Sequence, residues 1–382
     1  MHLKLKPGSR YRVLRGHPWV FAGEVVRLLP EIHDGSAVDL LDSRGRVLGS
    51  GIYNSRSQIV WRRFSRQGGV DFSPETIEGA IRKALSKREE EPYRRLVWSE
   101  ADNLPGLVVD QFGDILVLQA LTLAVDLRVE PILAILRNMV PSKDIVLRND
   151  APSRRYEGLE GKVSTASGER VPEGWYTIGG IDYRLDLMEG QKTGFYLDQR
   201  REHTEVASLA DGRSVLDGFC NLGAFALNCM RSGARSATAI EISGACSASA
   251  AMIADRNGLQ VDIRTENMFD YFTEHRSDRF ELIILDPPSF APNRAALPGA
   301  RRGYKELNLR AFRMLESGGI LATYCCSQRV GRALFEDIVA DAAADAGRRV
   351  RLLARSMQPS DHPVTLEFPE SEYLKGMQVQ VD

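Results

Sequence analysis

Short apolar runs alternate with amphipathic segments through the second half of the 382-residue chain. The apolar runs are typical of buried strands, and the segments between them have helical spacing. Repeated strand–helix units predict a parallel, doubly wound α/β sheet that binds ligands at the carboxyl ends of its strands. The predicted strands are Ser214–Asp217, Ala237–Glu241, Val261–Thr265, Glu281–Asp286 and Ile320–Cys325, and the predicted helices are Leu197–Ala210, Leu222–Arg231, Gly244–Asn257, Tyr304–Leu315 and Arg332–Ala346.

The first 180 residues mix both periods and divide at a polar stretch, residues 65–73. Before it, strand-like runs between glycine turns predict a small β-barrel. After it, helix and hairpin patterns predict a small α+β unit that ends in a loop at 158–174. We therefore divide the chain into residues 1–70, 71–180 and 181–382. The predicted strands here are Trp19–Phe21, Ala37–Leu41, Gln58–Trp61, Leu107–Gln111, Ile115–Leu121 and Asp144–Arg148, and the predicted helices are Pro74–Glu90 and Leu127–Met139.

Composition narrows the class of protein. The chain is 43% hydrophobic and 26% charged, a balance typical of soluble globular proteins. No uncharged apolar run approaches the ~18 residues that cross a bilayer, and Met1–Pro7 lacks the apolar core of a secretory signal. The five cysteines are odd in number and have no framework spacing, which favours a reducing, cytoplasmic environment over disulfides. They also lack zinc-site spacing, so no metal is expected.

Charge is distributed unevenly along the chain. Residues 1–69 contain 12 Lys and Arg against 5 Asp and Glu, so this stretch carries 12 − 5 = +7 in a chain whose net charge is −1. A compact basic module is typical of proteins that bind a phosphate backbone. A merely solvated basic face is the alternative. We favour RNA contact because the charges flank strand-like stretches instead of forming a tail.

A glycine-bearing turn, Asp217–Gly223, follows the first strand of the doubly wound sheet and would let backbone approach a ligand closely. An ordinary βα turn is the alternative. However, Glu241 could bind ribose hydroxyls, and Asn267 and Met268 could frame an adenine. The turn lacks the G-x-G-x-x-G pattern of dinucleotide sites. Together with Asp286–Pro288, which would aim backbone carbonyls at a base, these features favour S-adenosylmethionine as the ligand.

The fifth predicted strand ends in Cys325 and Cys326, at the expected mouth of the same pocket. Cytosine C5 is a poor nucleophile, but a thiolate that adds to C6 makes C5 able to attack a methyl donor. Strand alternation directs the two side chains to opposite faces, so one can be core and the other catalytic. The alternative, two small buried hydrophobes, is equally consistent with position alone.

At these motifs the chain resembles the ribosomal RNA large-subunit methyltransferase I family, whose members use S-adenosylmethionine to methylate cytosine C5 in 23S ribosomal RNA. The resemblance implies a PUA-like RNA-binding domain at 1–70, a central α+β domain at 71–180 and a Rossmann-like methyltransferase domain at 181–382. Its most distinctive element, Gln191–Arg200, is implied to help hold the methionine part of the donor. The other matching elements are Gly16–Phe21, Asp102–Leu107, Asp110–Gly113, Arg302–Asn308, Asp361–Pro363 and Tyr373–Gly376.

The resemblance also implies residue roles. Cys326 occupies the position of the catalytic cysteine, and Cys325 stands where relatives have serine. Ser289 replaces the second cysteine of more distant RNA cytosine methyltransferases and the lysine of many relatives, which implies a single-cysteine mechanism. Asp286 would orient the base and take part in proton removal. We expect donor contacts, backbone-mediated in the atypical turn, from Tyr196, Gln199, Arg200, Asp217, Phe219, Gly223, Glu241, Asn267, Met268 and Asp286.

The expected partner is 23S ribosomal RNA, either naked or in an assembling large subunit. Relatives also point to a homodimer, for which the sequence itself shows no interface. Three alternatives stay open. Methylation of an exocyclic amine or of guanine would also use an element like Asp286–Phe290. A non-catalytic RNA-binding assembly factor would keep the basic module, and a nicotinamide oxidoreductase would keep the glycine turn.

Overall fold

The computed structural model describes residues 2–8, 12–29, 31–190, 192–291 and 293–382. Arg10 of the basic module and Gln191 of the implied donor-binding element therefore lie outside the described residues. The chain forms two compact units. The first comprises Met1–Gly174, Leu185–Leu197 and Ser360–Ser371, and the second comprises Trp175–Arg184, Asp198–Pro359 and Glu372–Asp382.

A five-stranded sheet forms the N-terminal part of the first unit. Its strands are β1 (His2–Lys4), β2 (Trp19–Phe21), β3 (Ala37–Leu41), β4 (Val47–Tyr53) and β5 (Ile59–Ser65), in the order β1-β3-β4-β5-β2. Only the β1–β3 pair among these neighbours is parallel. Trp61 is fully buried, and its indole Nε1 donates to the Val38 carbonyl at 2.8 Å. Strand β4 escapes prediction because Gly49, Ser50 and Gly51 interrupt its apolar pattern.

A second five-stranded sheet, ordered β10-β9-β8-β7-β6, follows in the same unit. The predicted helix from Pro74 is correct at its start but wrong at its end, because it stops at Leu85 and not at Glu90. Just beyond it, the buried Arg88 side chain bonds the Arg95 carbonyl and the Asp102 carboxylate. The elements are α1 (Pro74–Leu85), β6 (Tyr93–Trp98), β7 (Leu107–Phe112), β8 (Ile115–Ala120), α2 (Leu123–Asp126), α3 (Val129–Met139), β9 (Asp144–Asn149) and β10 (Lys162–Thr165).

The loop predicted at 158–174 is wrong in part, because β10 lies within it and pairs antiparallel with β9. A short, partly exposed edge strand such as β10 has too little apolar alternation to stand out in the sequence. A two-stranded sheet follows in the chain, and most of its residues belong to the second unit. Its strands are β11 (Gly174–Ile178) and β12 (Ile181–Leu185).

The second unit is built on a seven-stranded sheet with the order β15-β14-β13-β16-β17-β19-β18. Its elements are α4 (Arg200–Ala207), β13 (Ser214–Gly218), α5 (Ala224–Arg231), β14 (Ser236–Glu241), α6 (Gly244–Arg256), β15 (Asp262–Thr265), α7 (Met268–Glu274), β16 (Phe280–Leu285), α8 (Leu297–Met314), β17 (Leu315–Cys325), α9 (Arg332–Asp345), β18 (Val350–Met357) and β19 (Lys375–Val381). Alternate residues of its strands enter two apolar cores. One lies against α7, α8 and α9, and the other lies against α4 and α5.

The five predicted strands pair in parallel, as expected for a doubly wound sheet. Strand β19, which the sequence analysis does not predict, runs antiparallel to both β17 and β18. Parallel neighbours require a crossover connection, usually a helix. The connection from β18 to β19 contains only a single 3-10 turn, Pro369–Ser371, so the chain re-enters the sheet in the opposite direction. Within the described ranges, none of the helices combines the length and apolar character needed to span a bilayer.

Candidate active site

The turn after β13 has an unusual backbone. Phe219 and Asn221 adopt φ angles of 67° and 51°, and Gly223 adopts 75°. Such left-handed conformations are costly for residues other than glycine and often occur at functional sites. The Asn221 amide donates to Glu241 Oε2 at 2.9 Å, and the Ser243 amide donates to Glu241 Oε1 at 2.8 Å. Glu241 therefore fixes this turn and the turn after β14 at the carboxyl ends of both strands.

Asp217 is completely buried at the end of β13. Its Oδ2 accepts a hydrogen bond from the Ala226 amide at 2.9 Å, whereas its buried Oδ1 has no hydrogen-bond partner in the described part of the chain. Burial raises the pKa of Asp217 to about 8, and the nearby carboxylates of Asp286 and Glu241 add to the increase. Oδ1 is therefore open to a ligand, and a cationic ligand would favour the ionised form, in which this oxygen accepts hydrogen bonds.

Gly218 leaves no room for a side chain. A Cβ atom at this position would lie 2.9 Å from Met268 Sδ and 3.0 Å from Leu285 Cδ2. Met268 is buried and packs against the turn, and the Asn267 side-chain oxygen accepts from the Phe269 amide at 2.9 Å to cap α7. Asn267 and Met268 thus begin a helix beside the turn.

The end of β16 lies beside this turn. The Asp286 amide approaches the Gly218 carbonyl at 3.5 Å, and Asp286 Oδ2 accepts from Gln199 Nε2 at 2.9 Å. Gln199 is buried immediately before α4, which Arg200 begins, and Gln199 Oε1 finds no hydrogen-bond partner among the described residues. Tyr196, in contrast, belongs to the first unit and stays a sequence prediction.

These groups suit a cationic ligand that donates hydrogen bonds. The carboxylates of Glu241 and Asp286 are close enough to raise the pKa of Asp217, and two buried oxygen atoms of the site are unsatisfied. S-adenosylmethionine carries a sulfonium and an ammonium group, and both would be attracted by carboxylates. A nicotinamide dinucleotide would bring an anionic pyrophosphate to the same place. The residues present therefore fit S-adenosylmethionine and disfavour the dinucleotide.

The two neighbouring cysteines occupy different environments, as strand alternation predicts. Cys325 is completely buried in the core against α8 and α9. Cys326 is partly exposed beyond the end of β17, and its Sγ lies 3.8 Å from the Pro287 carbonyl oxygen. Cys326 thus sits beside the Asp286–Pro288 element, whereas Cys325 has the surroundings of a small core residue.

Ser327, the residue after Cys326, is held by three other elements. Its hydroxyl lies 2.9 Å from both Ser289 Oγ and Tyr304 OH, and its carbonyl accepts from Lys375 Nζ at 2.9 Å. The sequence around these residues indicates no such role, although Tyr304 and Lys375 fall within matching motifs. The missing signal is the order of the strands, because nothing local to Lys375 indicates that β19 inserts beside β17.

The positive charge of residues 1–69 is largely compensated in the folded first unit. Several arginines of the basic module pair with carboxylates, some of which lie far away in the sequence. Arg63 is buried and donates to the Gly16 carbonyl. The ion pairs are Arg12–Glu370, Arg27–Glu31, Arg46–Asp42, Arg56–Asp34, Arg62–Glu100, Arg62–Glu157 and Arg66–Glu367. The exposed basic side chains without an ion pair in the described part of this module include Lys4, Lys6, Arg15 and Arg44.

Two family models match the chain. Residues 3–66 match a PUA-like domain, and residues 152–369 match an S-adenosylmethionine-dependent methyltransferase. The first match covers the N-terminal sheet. The second includes all the strand ends that bear the predicted donor-binding residues.

Curated proteins match the chain over its full length. Ribosomal RNA large subunit methyltransferase I of Shewanella amazonensis is 38% identical over 395 residues, covering 100% of this chain and 99% of that protein. The protein of the same name from Aeromonas hydrophila is 36% identical over 390 residues, covering 98% of each. Among solved structures, a Streptococcus mutans protein described as a SAM-dependent methyltransferase has a TM-score of 0.84 at 20% identity, with both chains fully covered. That likeness supports the fold.

Proposed function

Because the chain belongs to the ribosomal RNA large subunit methyltransferase I family of S-adenosylmethionine-dependent methyltransferases, we propose that it forms 5-methylcytosine in 23S ribosomal RNA. The proposed reaction passes through a covalent adduct between Cys326 Sγ and cytosine C6. The cytosine must leave its stack to reach the site, as is general for enzymes that modify a base.

The proposed chemistry begins with the Cys326 thiolate. It adds to C6 and forms the Sγ–C6 bond, which raises the electron density at C5. When bound, S-adenosylmethionine supplies an electrophilic methyl group from its sulfonium. After C5 is methylated, its proton is removed and the Sγ–C6 bond breaks, which returns the thiolate. Asp286 would orient the base and take part in proton removal.

The observation that carries this proposal is the position of Cys326. Its Sγ lies 3.8 Å from the Pro287 carbonyl, in the element that would face a base beside the donor. A thiol is needed there only if the base is attacked covalently, since methylation of an exocyclic amine requires no nucleophile. In addition, Phe290 packs against Tyr304 with ring centroids 4.8 Å apart. An amine-methylating site would use the aromatic ring of Phe290 to stack on the base, but here that ring is already in contact with Tyr304.

We propose donor contacts from the residues at the strand ends. The unsatisfied oxygen of Asp217 and the side chain of Gln199 would accept from the donor's ammonium group. Glu241 would accept from the ribose hydroxyls. The remaining proposed contacts come from Tyr196, Arg200, Phe219, Gly223, Asn267, Met268 and Asp286.

Methylation of unmodified 23S ribosomal RNA with labelled donor tests the proposal. We expect nucleoside mass spectrometry to detect 5-methylcytosine, Cys326→Ala to abolish it, and the core control Cys325→Ala to retain it. Undiminished 5-methylcytosine in Cys326→Ala would contradict the covalent mechanism. A methylated guanine or N4-methylcytosine in its place would favour the amine or guanine alternative.

The proposed partner is large-subunit ribosomal RNA, which implies a cytoplasmic location, and a homodimer is proposed from the family resemblance. Sedimentation of the purified protein tests the dimer. A single species with the mass of one 42.5 kDa chain would contradict it. Comparison of naked 23S RNA with large-subunit assembly intermediates identifies the form of RNA that is methylated fastest.

A further inference from the structure

A buried ammonium group lies beside the loop that carries Cys326. Lys375 begins β19, is only 2% exposed and is the register partner of Cys325 on β17. Its Nζ donates to the Ser327 carbonyl at 2.9 Å, one residue beyond Cys326. In the described residues, Lys375 forms no ion pair with a carboxylate.

Burying a charge without a counter-ion is unfavourable. Burial accordingly lowers the pKa of Lys375, while the sulfur atoms of Cys325 and Cys326 and the carboxylate of Glu372 oppose that decrease. An anion formed next to Nζ would relieve the cost. The proposed reaction forms an anion on Cys326, the residue before the one whose carbonyl Nζ binds, because the thiolate and not the thiol is the nucleophile.

We propose that Lys375 is a positioning residue that holds the Cys326 loop through Ser327 and acts as the counter-ion of the Cys326 thiolate, an assignment that rests on the proposed role of Cys326 as nucleophile. A lysine close to a thiol favours its ionised form. In this site the lysine is fixed by β19, and the loop that carries the thiol is held through the Ser327 carbonyl.

The other titratable groups named for this site are less suited to balance a thiolate. Arg332 on α9 donates to Glu372 at 2.7 Å, so this pair offers little net charge. Burial raises the pKa of Tyr304 on α8, so its hydroxyl stays neutral. Asp286 accepts from Gln199 and would oppose a thiolate, and Cys325 is an apolar-packed thiol. Of the groups named here, Lys375 is therefore the one suited to balance a negative Cys326.

The pH dependence of alkylation measures how strongly Lys375 favours the ionised form of the Cys326 thiol. In a full-length Cys325→Ala background, we would follow iodoacetamide labelling of the Cys326 peptide by mass spectrometry from pH 5 to pH 10. We expect Lys375→Met to raise the midpoint of labelling by about one pH unit and to slow labelling at pH 7 by roughly tenfold. A midpoint temperature of thermal unfolding and a donor affinity close to those of the parent protein would establish that the variant folds.

Ser327→Ala is the matched control. It removes the hydroxyl contacts with Ser289 and Tyr304 but keeps the carbonyl that Lys375 binds, so the labelling midpoint should stay at the wild-type pH. Equal midpoints in Lys375→Met and the wild type would overturn the proposal. So would a midpoint that moves in Ser327→Ala and not in Lys375→Met.

The result that would reject the proposed function differs from the result that would reject the role of Lys375. If Cys326→Ala still forms 5-methylcytosine, the covalent mechanism fails whatever the labelling midpoints are. If Cys326→Ala is inactive and Lys375→Met leaves the labelling midpoint unchanged, the covalent mechanism stands and the role of Lys375 is rejected.

Discussion

At the scale of single residues, the candidate site depends on polar groups held in unfavourable surroundings. Asp217 is fully buried with one unsatisfied oxygen, and its pKa rises to about 8 from an ordinary value of 3.8. Lys375 is a buried cation, and the backbone at Phe219 and Asn221 is left-handed. Such costs are expected where a site is arranged for a ligand and not for stability.

Asp217 leads to a prediction about stability. Because its pKa is raised in the folded chain, its stabilising contribution is complete below about pH 4 and is lost as the pH rises toward 8. Without donor, we expect the unfolding free energy of the wild type, relative to Asp217→Asn, to fall by up to about 1.4 kcal/mol per pH unit across that range. Urea denaturation at several pH values measures it. The exposed control Asp255→Asn should show no such trend, and a flat difference for Asp217→Asn would contradict the account.

The sequence predicts the residues of the candidate site one by one, but it does not show how they are joined. Asp217, Glu241 and Asp286 follow from their places at the ends of apolar strands. Cys326 follows from the family resemblance, and its distinction from Cys325 follows from strand alternation. The bond from Gln199 to Asp286 spans 87 residues, so local patterns could not reveal it.

At the scale of elements, the segment between β18 and β19 belongs to a different unit from the two strands that flank it. Residues 360–371 belong to the first unit, although both strands belong to the second. Phe368 packs edge-on against Trp19 with ring centroids 4.8 Å apart. Glu370 accepts from Arg12 at 2.7 and 2.6 Å and lies 3.1 Å from His17 Nε2. These contacts fasten the segment to β2 and to the residues before it.

Glu370→Gln tests this attachment. Burial would raise the pKa of Glu370, but hydrogen bonds from His17 and Arg12 outweigh it and hold the pKa well below its ordinary value of 4.5. The stabilisation is therefore present above about pH 4.5 and is lost at lower pH. We expect Glu370→Gln to lower the unfolding free energy at pH 7 by about 2 kcal/mol, with a smaller deficit at pH 3.5. An equal deficit at both pH values would contradict the charge-based explanation.

The strands that the sequence predicted and those it missed differ in how continuous their apolar residues are. Strands β13, β14, β16 and β17 are apolar runs that end in a turn or a polar residue, and their positions are confirmed within a few residues. Strand β18 is an exposed edge with Arg351 and Arg355 among its residues, and β19 alternates polar and apolar residues in a short run. Neither pattern indicates that β19 enters between β17 and β18, which is the placement that brings Lys375 to Ser327.

At the scale of the whole molecule, the net charge of the basic module overstates the positive charge that can contact RNA. Of its basic residues in the described part of the chain, six are ion-paired in the fold. Exposed Lys6 and Arg44 line a concave surface together with Leu14 and Arg46. Phosphate contact therefore depends on a few cations and not on the entire +7.

The salt dependence of RNA binding distinguishes basic side chains that have no ion pair from those that are ion-paired within the fold. We expect the double variant Lys6→Gln/Arg44→Gln to reduce the slope of log affinity against log salt concentration by roughly one to two. Arg27→Gln, whose charge is paired with Glu31, should change the slope less. Filter binding of 23S RNA fragments at several salt concentrations measures both. Equal slopes in the double variant and the wild type would place the phosphate contacts elsewhere.

Trapping of the covalent adduct tests whether Cys326 is the nucleophile. Cytosine with fluorine at C5 cannot lose a proton from that carbon, so the Sγ–C6 bond should persist after methylation. We expect 23S RNA that contains 5-fluorocytosine, incubated with protein and S-adenosylmethionine, to give a stable protein–RNA complex in which mass spectrometry finds the nucleotide on Cys326. Cys325→Ala should form the same complex, and Cys326→Ala should form none. A complex that survives in Cys326→Ala, or an adduct on another residue, would contradict the account.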